Sequence, residues 1–201
     1  WFERAVKERT KWDSYVDKES GPTNRELPTY AHAVGAIYRN ADPSDIVVTA
    51  AGGLVGEVVQ VWKPKQINTF ETEWGFSCMG YEISGALGIK MAKPDQDVIV
   101  FIGDGSYLLA NSDIYSSVIY DKKLIIVVCD NGGHMVINRL QLAKGGKEYI
   151  CNLRAARATN LQFVDFEMHA KSMGANGETV TSTSELEAAF LRAKKSDKTY
   201  V

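Results

Sequence analysis

Two residues in this sequence carry oxygen ligands in settings suited to close approach. Asp104 lies between Gly103 and Gly105 with Ser106 next, and Asn131 is followed by Gly132 and Gly133. Each closes an apolar, β-branched run, Val98–Ile102 and Leu124–Cys129 respectively. Two buried parallel strands would bring such a carboxylate and carboxamide to one sheet edge. That pair suits a divalent cation carrying a phosphate, because magnesium demands octahedral oxygen coordination and takes few protein oxygens besides substrate phosphates and water. Free N–H groups of Gly105 and Ser106, near a helix start, can hold phosphate oxygens. Gly133 offers a main-chain carbonyl in a loop free to turn. Either half alone reads equally well as a turn after a strand; the two together, each after a strand, point to the cation and phosphate.

The elements that must position these residues follow from periodicity and turn chemistry. Residues 1–19 have helical spacing of Trp, Val and Tyr among charges, and Ser20-Gly21-Pro22-Thr23-Asn24 reads as a linker. A helix is expected over 29–40, a strand over 45–50 running into Gly52-Gly53, a short helix over 54–62 and a second strand over 67–70. The glycine-punctuated loop 74–80 leads into a helix over 81–92, whose interior Gly85 and Gly88 cost about 1 kcal/mol each against alanine and so imply close packing. Strands over 98–102 and 124–129 flank a helix over 113–120. Residues 142–162 read as a long polar loop, 165–173 as a helix and 178–181 as a fifth strand. Ser184, with Glu187 three residues on, reads as the cap of a helix over 185–195, and Tyr200-Val201 as the start of a sixth strand. Alternating strands and helices make an α/β, doubly wound fold: a mostly parallel sheet of about six strands with helices on both faces, Rossmann-like. Ligands of such sheets bind beyond the carboxyl ends of the strands, at the switch point in strand order. Every glycine-rich break after a strand falls on that edge.

Composition narrows the classes. A chain of 201 residues, 45% hydrophobic and 24% charged, has the balance of a globular domain with a sizeable core. A net charge of -2 without a basic run or stripe argues against a nucleic-acid partner, and no apolar stretch has the length of a membrane span. Cys78, Cys129 and Cys151 lack metal-ligand spacing and read as reduced thiols of a cytoplasmic protein. The start at Trp1 without methionine and the end at Thr199-Tyr200-Val201 read as a piece of a longer protein. Residues 1–26 are expected to lead in from an upstream domain, and 27–201 to form the phosphate-binding domain.

GDGS followed by a helix, a strand and Asp130-Asn131 resembles the thiamin-diphosphate signature of the acetolactate synthase and pyruvate oxidase superfamily, in particular its diphosphate-binding domain. The likeness also takes in the 49–54 turn and CMGYEISGALGIKMAKP. It implies thiamin diphosphate and Mg2+ as cofactors, with Asp104, Asn131 and the carbonyl of Gly133 on the metal. Gly105 and Ser106 would contact the diphosphate; Gly52, Gly53 and Leu54 would form the turn on the cofactor's phosphate side; Met79 would prop the cofactor in its bent shape. Asp130 stands where most relatives have asparagine. The glutamate that activates the aminopyrimidine belongs, in this superfamily, to an N-terminal pyrimidine domain of another subunit. The resemblance therefore implies a homodimer or homotetramer, an upstream domain as partner, and no catalysis by this piece alone.

Within the superfamily, EWGFSCMGYE over residues 73–82 resembles the trihydroxycyclohexanedione hydrolases of myo-inositol catabolism, whereas acetolactate synthases read more like GGLGTMG(F/Y)G. The activity implied is hydrolysis of a carbon–carbon bond in a small cyclic 1,2-dione, with the cofactor as electron sink and water completing ring opening to 5-deoxy-glucuronate. His134, directly after the metal turn, is a candidate catalytic group or else a plain loop histidine. Ser77, Asn138, Lys144, Lys147, Arg154 and Arg157 are further polar candidates. Two other readings stand beside this one: a 2-oxoacid carboligase or decarboxylase using the same cofactor, and a nucleotide-binding module without catalysis.

Overall fold

Side chains of the β-branched runs alternate between two apolar layers, and that alternation builds the sheet. The computed structural model describes residues 1–158 and 160–201. In chain order the elements are α1 (Phe2–Glu19), α2 (Tyr30–Asn40), β1 (Ile46–Thr49), α3 (Gly52–Val61), β2 (Phe70–Thr72), α4 (Tyr81–Ala92) and β3 (Val98–Gly103). Then come α5 (Asp104–Leu109), α6 (Asp113–Ile119), β4 (Ile125–Cys129), α7 (Met135–Ala143), α8 (Phe166–Ser172) and α9 (Thr183–Lys195). Val47, Ile99, Phe101 and Ile125 face one layer, where they meet Val34 and Ile37 of α2, Leu54 and Val58 of α3 and Phe190 of α9. Ile46, Val48, Val98, Val100 and Ile102 face the other, against Ile83 and Leu87 of α4, Tyr107 of α5, Ile114 of α6 and Ala170 of α8. Each such side chain, fully buried, contributes about 1.5–3 kcal/mol of transfer free energy.

The strands run parallel in the order β2-β1-β3-β4. From β1 the chain steps outward to β2, and from β3 it steps the opposite way to β4. The order therefore reverses between β1 and β3, and the crevice at their carboxyl ends is the place where ligands bind in such sheets. Beyond β4 the sheet continues through single parallel bridges, Ile125 to Tyr200 and Tyr200 to Asn176. The Tyr200 N–H donates to Leu124 O at 2.9 Å, and the Glu178 N–H to Val201 O at 3.0 Å. These outer segments occupy the expected fifth and sixth strand positions, each held by an isolated bridge.

Several boundaries differ from those read in the sequence. The second strand begins at Phe70, not at residue 67, because Ile67 is 91% exposed and Asn68 takes a left-handed φ of 62°, which breaks extended backbone. Strand-type bonding of the fifth segment lies at 176–178 instead of 178–181. The last helix is capped by Ser182, whose hydroxyl accepts from the Glu185 N–H at 3.2 Å while Glu185 reaches back to the Ser182 N–H. Glu187, expected in that box, instead pairs with Arg39 at 2.6 Å. The expected loop over 142–162 is cut by α7, which ends at Ala143, and by a 3-10 turn at Leu153–Ala155; its position 159 lies outside the described residues.

Candidate functional site

Asp104 directly follows β3 and opens α5, so the strand carries its carboxylate to the crevice, where it is buried. Its Oδ2 accepts from the Gly133 N–H at 2.6 Å. The two glycine-flanked breaks, 29 residues apart, thus meet because β3 and β4 are parallel neighbours in register, Gly103 opposite Cys129. Gly133 has φ of 136°, and a Cβ there would lie 2.4 Å from the carbonyl oxygen of Cys151. Only glycine fits this backbone at this distance. The segment behind it is fixed by an antiparallel bridge to Asn152 and by the His134 N–H on Cys151 O at 2.8 Å.

Of the cofactor residues read in the sequence, Gly52, Gly53, Met79, Gly105 and Ser106 lie on the segments that meet here, and Leu54 is the exception. Among the further polar candidates, Asn138 donates to Glu148 at 3.0 Å. A Cβ at Gly105 would meet the His134 ring at 2.6 Å and Met79 Cε at 3.5 Å, so these three residues share one surface. A Cβ at Gly53 would meet Val136 Cγ2 at 2.7 Å and an Arg139 guanidinium nitrogen at 3.0 Å. Helix α7 therefore lies directly over the first turn of α3. Gly52 sits at that turn with φ of 81°, and Ser106 is buried in α5. Leu54 differs: its side chain is 3% exposed and belongs to the core.

The electrostatics are those of a site short of positive charge. Burial pushes the Asp104 carboxyl above the usual range, and the nearby Asp130 charge raises it further, against the lowering effect of the Gly133 and Gly105 N–H groups. Asp130 itself turns back on the Gly132 N–H at 2.9 Å. Asn131 directs its amide nitrogen to the hydroxyl of Tyr30, which leaves its carbonyl oxygen as the atom to offer a metal. Burial raises the Tyr30 phenol, so it stays a neutral partner at physiological pH. Burial pushes Cys129, in the strand behind, up to about 12.

Sequence reasoning missed three participants. Tyr30 is 101 residues from its partner Asn131, and no local pattern links them. Arg139 belongs to α7, a helix masked by glycines on both sides. Glu82 had a signal that could have found it, a lone carboxylate in the first turn of an otherwise small and apolar helix. It is completely buried; its Oε1 accepts from the Ala51 N–H at 3.1 Å and its Oε2 from the Gly80 N–H at 2.8 Å.

No group of three or more His, Cys, Asp or Glu side chains converges among the described residues, so an all-carboxylate or thiolate metal centre is not the arrangement present. The donor set is one buried carboxylate lacking a cationic partner, one carboxamide and one backbone carbonyl. That set fits a hard divalent cation whose remaining ligands come from a phosphorylated ligand. At Gly105 and Gly53 the absence of a Cβ lets His134 and the side chains of α7 close onto the first turns of α5 and α3.

Residues 50–201 match the family described as thiamine pyrophosphate enzyme, C-terminal TPP binding domain. Curated relatives include the 3D-(3,5/4)-trihydroxycyclohexane-1,2-dione hydrolase of Halalkalibacterium halodurans, 39% identical over 82% of this chain and 26% of that protein. Those of the same name from Bacillus licheniformis and Bacillus subtilis are 40% and 37% identical, over 86% and 87% of this chain and 27% of each relative. The chain thus spans about a quarter of the length of these relatives. Among solved structures, the thiamine diphosphate-dependent 4-hydroxybenzoylformate decarboxylase of Rhodococcus jostii RHA1 has a TM-score of 0.74 at 19% identity, over 89% of this chain and 32% of that one. At that identity the likeness speaks for the fold.

Proposed function

The chain belongs to the thiamine pyrophosphate enzymes, as their C-terminal TPP-binding domain, and from that premise we propose that the intact protein hydrolyses a carbon–carbon bond of 3D-(3,5/4)-trihydroxycyclohexane-1,2-dione, opening the ring to 5-deoxy-glucuronate. The observation that carries this reading is the similarity, over more than four-fifths of the chain, to relatives that bear the name of that hydrolase. The 73–82 segment, EWGFSCMGYE, supports it from within the sequence.

On this reading residues 27–201 are the cofactor-binding domain, and 1–26 lead in from upstream. Asp104, Asn131 and the Gly133 carbonyl hold Mg2+. Gly105, Ser106 and the Gly52-Gly53-Leu54 turn hold the diphosphate by backbone N–H groups. Met79, in contact range of the Gly105 backbone, supports the cofactor from below. Bound thiamin diphosphate supplies the electron sink for the bond that breaks. His134, whose ring lies against Gly105, is the candidate to exchange a proton with a substrate oxygen. The group that activates the cofactor comes from the pyrimidine-binding domain of another subunit, so the working protein is at least a dimer.

The test uses the full-length protein with thiamin diphosphate and Mg2+. Consumption of the cyclic dione, with Asp104→Ala abolishing cofactor binding in calorimetry, is the expected result. Turnover of pyruvate without turnover of the dione would overturn the substrate in favour of a 2-oxoacid carboligase or decarboxylase. Absence of cofactor binding by the wild-type protein would overturn both.

A further inference from the structure

We propose that Glu82 is a positioning residue that assembles the cofactor-facing turns before the cofactor arrives. The inference rests on the reading of these turns as the thiamin-diphosphate site, and it concerns a residue to which that reading assigns nothing.

Glu82 lies in the first turn of α4, after the left-handed N-cap Gly80, and folds back so that Oε2 accepts the Gly80 N–H at 2.8 Å. Its Oε1 accepts the N–H of Ala51, the N-cap of α3, at 3.1 Å. The Ser106 hydroxyl in α5 stands beside the same carboxyl. One side chain therefore bonds the turn after β1 to the turn carrying Met79, and lies beside the turn after β3. These contacts span 31 residues on one side and 24 on the other, and no strand pairing ties the Met79 turn to the sheet. Both oxygens accept backbone N–H groups and the residue is 0% exposed. A buried carboxylate is costly unless it is hydrogen-bonded at every turn. Its presence among so many small residues means that the two bonded turns cannot drift apart without stranding it.

The chemistry also sets the geometry the cofactor meets. Drawing the Ala51 N–H toward Glu82 orients the Ala50–Ala51 peptide at the entry to the Gly52 turn, and drawing the Gly80 N–H orients the Met79–Gly80 peptide. The diphosphate side and the ring-supporting side of the site are thus set by the two oxygens of a single group. Glutamine has the same shape but presents an NH2 to one of the two N–H donors, so one contact becomes a donor facing a donor.

The experiment uses the full-length protein and compares wild type, Glu82→Gln and Asp104→Ala. Cofactor-free melting temperature, thiamin diphosphate affinity at saturating Mg2+, and backbone hydrogen exchange over residues 50–54 and 78–83 are measured. Glu82→Gln is expected to weaken thiamin diphosphate at least about tenfold, which corresponds to about 1.4 kcal/mol, in folded protein. In the cofactor-free wild type, the Ala51 and Gly80 amides are expected to exchange at least about 100-fold more slowly than in an unfolded chain. A Glu82→Gln protein that loses melting temperature but keeps wild-type cofactor affinity would reduce Glu82 to a structural residue and overturn the proposal. Fast exchange of both amides in the cofactor-free wild type would overturn it as well, even if the variant does not fold. Failure of the wild type to bind thiamin diphosphate would strike the functional reading itself, whereas wild-type binding lost in Asp104→Ala and unchanged in Glu82→Gln would strike this inference alone.

Discussion

Replacing Gly133 by alanine tests whether the two halves of the site are joined as described, and Gly132→Ala is its matched control. Both glycines have positive φ, 136° and 81°. At Gly132 a Cβ would meet nothing within 4 Å, so the cost there is the left-handed backbone alone, about 1–2 kcal/mol. At Gly133 the φ lies in a region essentially reserved for glycine, costing about 1–3 kcal/mol. The new Cβ would also lie 2.4 Å from a backbone oxygen, that of Cys151, which no rotamer change can relieve. The loop must move, and the 2.6 Å bond from the Gly133 N–H to the buried Asp104 carboxylate goes with it. A hydrogen bond to a charged group contributes about 1.5–3 kcal/mol. The sum for Gly133→Ala is about 2.5–6 kcal/mol, some 1.5–4 kcal/mol beyond the control. Denaturant unfolding of the full-length protein followed by tryptophan fluorescence measures the first effect. A Mg2+ titration of thiamin diphosphate binding measures the second, with a clear weakening expected for Gly133→Ala only. Equal destabilisation of the two variants, within about 0.5 kcal/mol, would refute the reasoning.

Asp104→Asn keeps an acceptor for the Gly133 N–H but removes a buried charge that has Asp130 for a neighbour. It is expected to abolish Mg2+-dependent thiamin diphosphate binding in calorimetry while leaving the metal-free protein at least as stable in urea. Tyr30→Phe removes the hydroxyl that holds the Asn131 carboxamide; it is expected to raise the half-saturating Mg2+ concentration about 10–100-fold, as for other partners that orient a ligand, with the melting temperature nearly unchanged. Lys194 lies 2.6 Å from the buried Asp45 and 2.7 Å from Asp42, and Lys194→Met, which strands Asp45, is expected to cost about 3–5 kcal/mol in urea unfolding. Burial alone would lower the Lys194 ammonium, but its bonds to Asp42 and Asp45 outweigh burial and raise it above 10.5. A raised lysine stabilises fully below its unfolded value, so the wild type is expected to lose this contribution only as pH climbs from 10.5 through the raised folded value, and Lys194→Met to lack that alkaline loss.

What was legible in the sequence was whatever a strand and its following turn specify locally. The runs before Asp104 and Asn131 are apolar and β-branched, and their glycines mark the edge, so parallel pairing alone was enough to bring Asp104 to Gly133. What was hidden depended on partners chosen across the fold. Ser182 and Ser184 both precede a glutamate at capping distance, and Ser182 caps because Glu187 is taken by Arg39 from another helix. The helix Met135–Ala143 is short and bounded by glycines, so its packing on the α3 turn, through Val136 and Arg139, stabilises what its local composition does not declare. Tyr30 and Glu82 are single residues of ordinary type. Their importance lies in where their elements dock, which periodicity does not encode.

The charges in the crevice explain why one domain can anchor this cofactor yet depend on a metal to do it. Burial and the neighbouring Asp130 charge both disfavour ionisation of Asp104, and Glu82 adds a further carboxyl behind the turns, satisfied by N–H groups and no cation. A diphosphate entering alone would meet these carboxyls with only backbone dipoles and Arg139 to offset them. A divalent cation entering alone would find one carboxylate and neutral oxygens, too little charge to displace its water firmly. On the proposed assignment the two would neutralise each other: a cation at Asp104 would relieve its charge, and the diphosphate would complete the cation's shell. Each then raises the affinity of the other by the same factor, as linkage requires. The half-site is therefore shaped for the pair, and the fit lies in the charge that the protein leaves unpaired.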